Sequence, residues 1–412
     1  MILLAHPFGN EFVRALLRAL DHAGLLAKFV TALGWSNASP LLRELPAKLR
    51  SQMARRGYDL PHSKIKIHSA REIVRLLAGS LGPRWLIEHE RGWASIDRVW
   101  RGVDKCAAAF LRESHQRQKI RAVYAYEDCA AQLFETARSL GLRRIYDLPI
   151  AYWETARRLL QEEAERYPEW EPTLLATRDS AEKLARKTRE LDLAEIVICP
   201  SKFVHDSLPE NTRVAKPCVV ALFGSPVLAE SAELKRGQGP LRILFAGSLT
   251  QRKGLADVFA AMKLLGSRNV ELVVMGSLLR PLGWYREKFP HFIYEPPRPH
   301  PDVLRLMRSC DVFVLPSIVE GRALVQQEAM ACGLPIIVTI NAGGDDLIAE
   351  GETGFLVPIR SPEAIAEKIN WCATNRVSIA GMAIAAQRRA SELTWSGYGE
   401  TILAAIRSLI GK

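Results

Sequence analysis

The feature that most constrains this chain is a series of short apolar runs in its C-terminal half. Each run ends at a turn residue and leads into a helical pattern. Leu241-Arg242-Ile243-Leu244-Phe245-Ala246-Gly247 passes through a basic turn into the helical periodicity of Ala256 to Leu265. Val270 to Gly276, Asp311 to Pro316 and Leu334 to Thr339 repeat the plan. Short runs rich in β-branched residues, alternating with helices, predict buried parallel strands with helices on both faces, an α/β fold. The N-terminal half is sparser but similar in kind. Met1 to His6, Ala122 to Tyr126, Arg144 to Asp147 and Ile196 to Pro200 read as strands. Phe12 to Leu20, Ala130 to Leu140 and Glu182 to Leu191 read as helices. Between Pro40 and Gln118 the sequence is charged and helix-favouring with no evident strand, as in a helical insertion or a remodelled face of the first domain.

At 412 residues the chain exceeds the usual size of a single core, so two domains are expected. A hinge is expected near Phe223-Gly224-Ser225-Pro226, with Gly237-Gln238-Gly239-Pro240 leading into the second domain. No stretch approaches the ~18–20 apolar residues needed to cross a bilayer. Met1 to Pro7 is too short an apolar run, and lacks the basic leader, for a signal peptide, so a cytoplasmic location is expected. The seven cysteines are scattered without CxxC spacing and read as reduced core residues, with neither metal nor disulfide roles.

The net charge of +11 is unevenly placed: from Arg43 to Arg121, eighteen Lys or Arg face eight Asp or Glu. Such a segment is either a solvated helical face or a surface for an anionic lipid or lipid-phosphate acceptor. No zinc-finger spacing or RNA-recognition signature accompanies it, which argues against nucleic acid as a partner.

Three constellations carry the chemistry. In the first, Glu320 follows a strand end and Glu328 lies within a helix expected to begin near Gly321 and stop at Gly333. Glu320 then sits at the mouth of the crevice beyond the strand ends, where open α/β sheets bind ligands, with Glu328 deeper in. The helix start offers the N–H groups of Gly321, Arg322, Ala323 and Leu324 to a phosphate or sugar hydroxyl, and Arg322 adds a cation. In the second, a strand closed by Gly247 runs through Ser248-Leu249-Thr250-Gln251 to Arg252, Lys253 and Gly254 ahead of a helix. Arg grips a diphosphate bidentately and Lys supplies a compact charge. The third, Asn341 to Ile348 and Gly351 to Pro358, reads as structural turns and a short final strand.

Together these residues resemble the retaining glycosyltransferases of family 4, most specifically from Leu241 to Pro358. The resemblance implies the GT-B architecture: two Rossmann-like domains facing each other across a cleft, with a C-terminal helix crossing back to the first. The domains would be 1–225, acceptor-binding, with the basic helical segment at about 40–120, and 226–392, nucleotide-sugar-binding. Residues 393–412 would form the closing helix, beginning at Leu393-Thr394-Trp395-Ser396. His6, Gly9 and Asn10 sit where the family has its glycine-containing interdomain loop, and Ala194 to Val204 resembles the strand and Ser-bearing turn closing the first domain. By the resemblance, Arg252 and Lys253 hold the donor diphosphate, Glu328 binds the ribose, and Glu320 stabilises positive charge at the anomeric carbon. It also implies no metal or cofactor, because basic residues and backbone amides neutralise the diphosphate.

Two departures stand out. Gly247-Ser248 replaces the family's frequent Gly-Arg, and Gly321-Arg322-Ala323-Leu324 replaces Gly-Phe-Gly-Leu, so Arg322 is a candidate substitute for the missing cation. Asp147, at a strand end, is the candidate polar group from the first domain near the reacting centre, with Glu127 and Asp128 as competitors and a cap or turn role as the alternative for each. The expected reaction moves a sugar from a UDP- or GDP-linked donor to a glycan or lipid-linked acceptor, in the cytoplasm and in part at the inner face of the membrane. The rival readings are a non-catalytic nucleotide-sugar-binding scaffold, an epimerase and a phosphorylase, the last lacking any evident context for a pyridoxal lysine.

Overall fold

The computed structural model describes residues 1–37, 56–227, 239–266 and 269–411. The first part of the basic segment, 38–55, therefore lies outside the described residues, as does the Gly237-Gln238 stretch.

The first sheet contains β1 (Ile2–Ala5), β2 (Leu26–Thr31), β5 (Ile65–Ile67), β6 (Ala122–Tyr126), β7 (Arg143–Asp147), β8 (Ile196–Cys199) and β9 (Cys218–Val220), and the ribbon of β3 (Trp35–Ser36) with β4 (Gly57–Tyr58) stands apart. Its order is β5-β2-β1-β6-β7-β8-β9, parallel throughout. The second sheet contains β10 (Leu241–Ala246), β11 (Val270–Met275), β12 (Ile293–Glu295), β13 (Val312–Leu315), β14 (Ile336–Val338) and β15 (Gly354–Leu356). It runs β12-β11-β10-β13-β14-β15, also parallel.

Alternation along β1 explains the layering. Leu3 and Ala5 enter one core with Val99, Val103 and Leu111, while Ile2 and Leu4 enter another with Val13, Leu16 and Leu20. Burying both faces is what makes the strands read as continuous apolar runs. The closing helix Trp395–Ile410 completes the second of these layers, placing Tyr398, Ile402 and Ile406 against the helix Glu11–His22 and the first sheet. The two-domain α/β expectation with a returning C-terminal helix is borne out.

The stretch between Pro40 and Gln118 departs from its expectation. Within its described part, β5 is a sheet strand and the helix Ile96–Ser114 packs Val99, Val103, Ala107 and Leu111 onto the sheet, as a layer helix rather than an insertion. Strands β2 and β12 were likewise not legible: lysine interrupts Leu-Ala-Lys-Phe-Val-Thr, and β12 is three residues beside Pro296-Pro297. Among the described residues no helix is long and apolar enough to cross a membrane.

Candidate functional site

The carboxyl ends of the two sheets face one another across a cleft of about 730 Å³. Asn10, Phe12, Pro149 and Phe223 line it from the first half, and Gly247, Arg252, Lys253, Glu320, Leu324 and Glu328 from the second.

The basic loop begins where β10 ends. Thr250 caps a 3₁₀ turn, Gln251–Lys253, its hydroxyl accepting from the Arg252 amide at 3.2 Å. Gly254, at φ 74°, then redirects the chain into the helix Leu255–Leu265. The loop beyond β13 is zipped to this turn, since the Ile318 amide donates to the Arg252 carbonyl at 2.9 Å. That pairing brings Glu320 onto both cations. Arg252 Nη1 donates to Glu320 Oε1 at 2.8 Å and Lys253 Nζ donates to the same oxygen at 2.5 Å. Burial would raise the Glu320 carboxyl, but Arg252 and Lys253 overcome it and hold it down at about 2. One carboxylate against two cations leaves a net positive charge at the mouth of the cleft.

Glu328 lies in the helix Leu324–Ala331, where its Oε1 accepts from His300 Nε2 at 3.0 Å. That hydrogen bond raises the His300 pKa against the opposing effect of burial. His300, Arg298 and Val303 also line the cleft, and sequence reading missed all three. They follow β12, and the Arg298-Pro299-His300 stretch after that short strand was the available signal.

The two halves meet closely beside Glu320. A Cβ on Gly321 would run into the Pro149 carbonyl, and Ser201 Oγ donates to the Gly321 carbonyl at 2.7 Å. Glycine is required there because backbone of the first half occupies the side-chain space.

Several expected site residues lie elsewhere or are engaged by other partners. Arg322 and Ala323 line the cleft, but Arg322 is no free cation there: its guanidinium is buried, donating from Nε to Gln327 at 2.9 Å and from Nη1 and Nη2 to Asp346 at 2.6 and 2.9 Å. A buried guanidinium needs its donors satisfied, and Asp346 neutralises it. The helix starts at Leu324 rather than Gly321, and the Ala323 amide donates to the Ala342 carbonyl at 3.2 Å, so that amide is already used. Ser248 is half-buried, and the cleft is lined by Gly247 next to it.

Asp147 is buried among aromatic rings, not in the cleft. It accepts from the Tyr124 hydroxyl, and Tyr126 and Tyr398 stand close by. The strand end points its carboxylate into the layer under the closing helix, and Pro149 two residues later reaches the cleft instead. Glu127 and Asp128 are held by Lys187 at 3.1 Å and Arg186 at 3.0 Å. His6 is caged by Phe8, Phe12, Trp100 and Tyr126, and burial lowers its pKa to about 3, so it is a neutral packing residue. The Gly9 carbonyl accepts from Arg14 Nε at 3.1 Å, and Asn10 lines the cleft at the start of the helix Glu11–His22.

Residues 228–389 match the family of group 1 glycosyl transferases. A D-inositol 3-phosphate glycosyltransferase of Paenarthrobacter aurescens is 32% identical over 172 residues, 38% of this chain, and the match spans 41% of that relative's length. Over the whole chain the fold matches the sucrose-phosphate synthase of Thermosynechococcus elongatus, at a TM-score of 0.67 and 17% identity, covering 100% of this chain and 99% of that one. Anabaena HepE, solved in complex with UDP-glucose, matches at a TM-score of 0.59 and 16% identity, with 99% of each chain covered. The chain thus has the GT-B fold, and residues 228–389 of its C-terminal half are similar to the group 1 glycosyl transferases.

Proposed function

We propose that this protein transfers a sugar from a UDP- or GDP-linked donor to an acceptor hydroxyl with retention at the anomeric carbon. The carrying observation is the Arg252–Lys253–Glu320 cluster at the mouth of the cleft. A nucleoside diphosphate entering there replaces Glu320 as the partner of the two cations. Its departing charge is then met by preorganised donors, which is commonly the largest catalytic contribution. Glu320, held as a carboxylate by the two cations before the donor enters, then faces the sugar, where a carboxylate suits stabilisation of an oxocarbenium-like centre. Glu328, hydrogen-bonded to His300 at the cleft, takes the ribose hydroxyls in this reading. Basic side chains hold the diphosphate in this reading, so no metal takes part. The donor belongs to residues 226–392 and the acceptor to residues 1–225, with 393–412 returning to the first domain. With Asp147 withdrawn from the cleft, the first half contributes Asn10 and the Pro149 backbone near the reacting centre.

A lipid-linked or glycan acceptor fits the first half. The helix Ala70–Leu81 exposes Ile73, Leu76 and Leu77, and the next turn exposes Trp85 at 69% beside the exposed cations Arg84 and Arg91. An apolar stripe flanked by arginines suits the surface of an anionic membrane.

The test is a binding and turnover screen of nucleotide sugars with the wild type, Glu320→Ala and Arg252→Ala. Binding of one donor, with slow hydrolysis lost in both variants, is expected. Binding without turnover under any acceptor would favour the scaffold reading, and isomerisation of the donor without an acceptor would favour an epimerase.

A further inference from the structure

The donor loop is not held by its own domain alone. The helix Trp153–Arg166 and the 3₁₀ turn Pro168–Thr173, which precede β8 of the first sheet, leave that sheet and pack into the second domain. Trp170 is buried in the core of the second domain, its ring centroid 4.9 Å from Trp284 and 5.9 Å from Tyr285. From this strap two residues reach the loop. Glu163 Oε2 accepts from Gln251 Nε2 at 2.6 Å, and Thr173 accepts through its carbonyl from Thr250 Oγ1 at 2.8 Å and through its hydroxyl from the Gln251 backbone amide at 3.3 Å.

Gln251 is wholly buried and its amide is fully used. Nε2 donates to Glu163 and, at 2.8 Å, to Asp257, while Oε1 accepts from the Ala256 amide at 2.8 Å. Arg360 and Arg166 supply the counter-charge: Arg360 pairs with Glu163, and Arg166 Nη1 lies 2.7 Å from Asp257. The residues after Gln251 are Arg252 and Lys253. None of the strap residues lines the cleft.

We infer that Glu163 and Thr173 are positioning residues for the donor site: the strap fixes Thr250 and Gln251, and through them aims Arg252 and Lys253 at the diphosphate. This inference rests on the donor reading above and adds to it. A satisfied amide between two carboxylates has one low-energy orientation, so the 3₁₀ turn is locked only while the strap is docked. By linkage the coupling runs both ways: a ligand that needs the loop in place also favours the docked strap.

The experiment uses the full chain with UDP and GDP as probes, reading nucleotide affinity by calorimetry and amide exchange across residues 168–173. In the wild type, nucleotide is expected to slow exchange in this turn, although the turn does not touch the cleft. Glu163→Ala is expected to weaken nucleotide binding about tenfold or more, and Thr173→Ala, which loses the hydroxyl contact but keeps the carbonyl, to weaken it less. Glu163→Gln, which keeps a side-chain oxygen for Gln251, should retain more affinity than Glu163→Ala. Melting curves and the exchange of β10 amides identify any variant that is merely unfolded. If such a variant arises, the wild-type exchange response decides alone. Nucleotide binding that leaves strap exchange unaltered overturns the inference and leaves the donor reading standing. Failure of the wild type to bind either nucleotide sinks the donor reading, and the inference with it.

Discussion

Asp147 and Glu320 are both carboxylates taken out of water, and their neighbours send them in opposite directions. Glu320 has two cations on one oxygen and is held at about 2. Asp147 has tyrosine hydroxyls, and burial outweighs them to push it from 3.8 to about 7. A raised acid contributes stability at low pH and loses it as pH climbs. Below 3.8 both folded and unfolded chains hold the proton. Above that the unfolded chain releases it first, so folding weakens until pH passes about 7. The shift corresponds to about 4 kcal/mol at most. Asp147→Asn is expected to remove this decline, so that denaturation midpoints at pH 4 and pH 8 lie closer together than in the wild type. An unchanged pH dependence would mean that the folded protein carries an ionised Asp147.

At the scale of elements, the turn after β10 combines a threonine cap, two cations and a left-handed glycine within five residues. Gly254 is the stop that lets the helix begin immediately after the cations. A Cβ there would meet the Pro316 carbonyl as well as an unfavourable φ. Gly254→Ala is therefore expected to cost roughly 1–3 kcal/mol, lowering the melting temperature and nucleotide affinity together. A variant with wild-type melting and affinity would show that the loop tolerates another path. Much of this element was legible: the apolar run, the closing Gly247 and the Arg-Lys-Gly order all stand in the sequence. The shorter helix containing Glu328 was not, because its first turn is decided by the Ala323–Ala342 hydrogen bond between two loops.

For the whole molecule, the surface of the first half makes its own prediction. Several cations of the basic segment are engaged within the fold, such as Arg56 and Arg75 on Glu72 and Arg101 on Asp97 and Glu182. Net charge alone therefore overstates the positive surface, and the apolar stripe carries the distinguishing signal. Vesicles containing anionic lipid should pellet the protein, less well at high salt. The combined variant Ile73→Ser, Leu77→Ser and Trp85→Ser should reduce pelleting about tenfold while leaving nucleotide binding intact. Co-sedimentation indifferent to salt, lipid charge and these substitutions would remove the membrane from the reading.

By itself, the sequence determined most of the central strands, since a strand covered on both faces is apolar along most of its length. It also determined the order of cations and carboxylates along the second domain, because local runs and turns place them at strand ends. Other features belong to the tertiary structure alone. Whether a polar or charged residue faces the cleft or a buried partner depends on residues far away in the chain: Arg322 turns to Asp346, Asp147 to Tyr124, and Gln251 to Glu163. Local periodicity carries no information about those pairings. Desolvation and partner charge, which decide what each group can do, exist only once the chain has folded and packed.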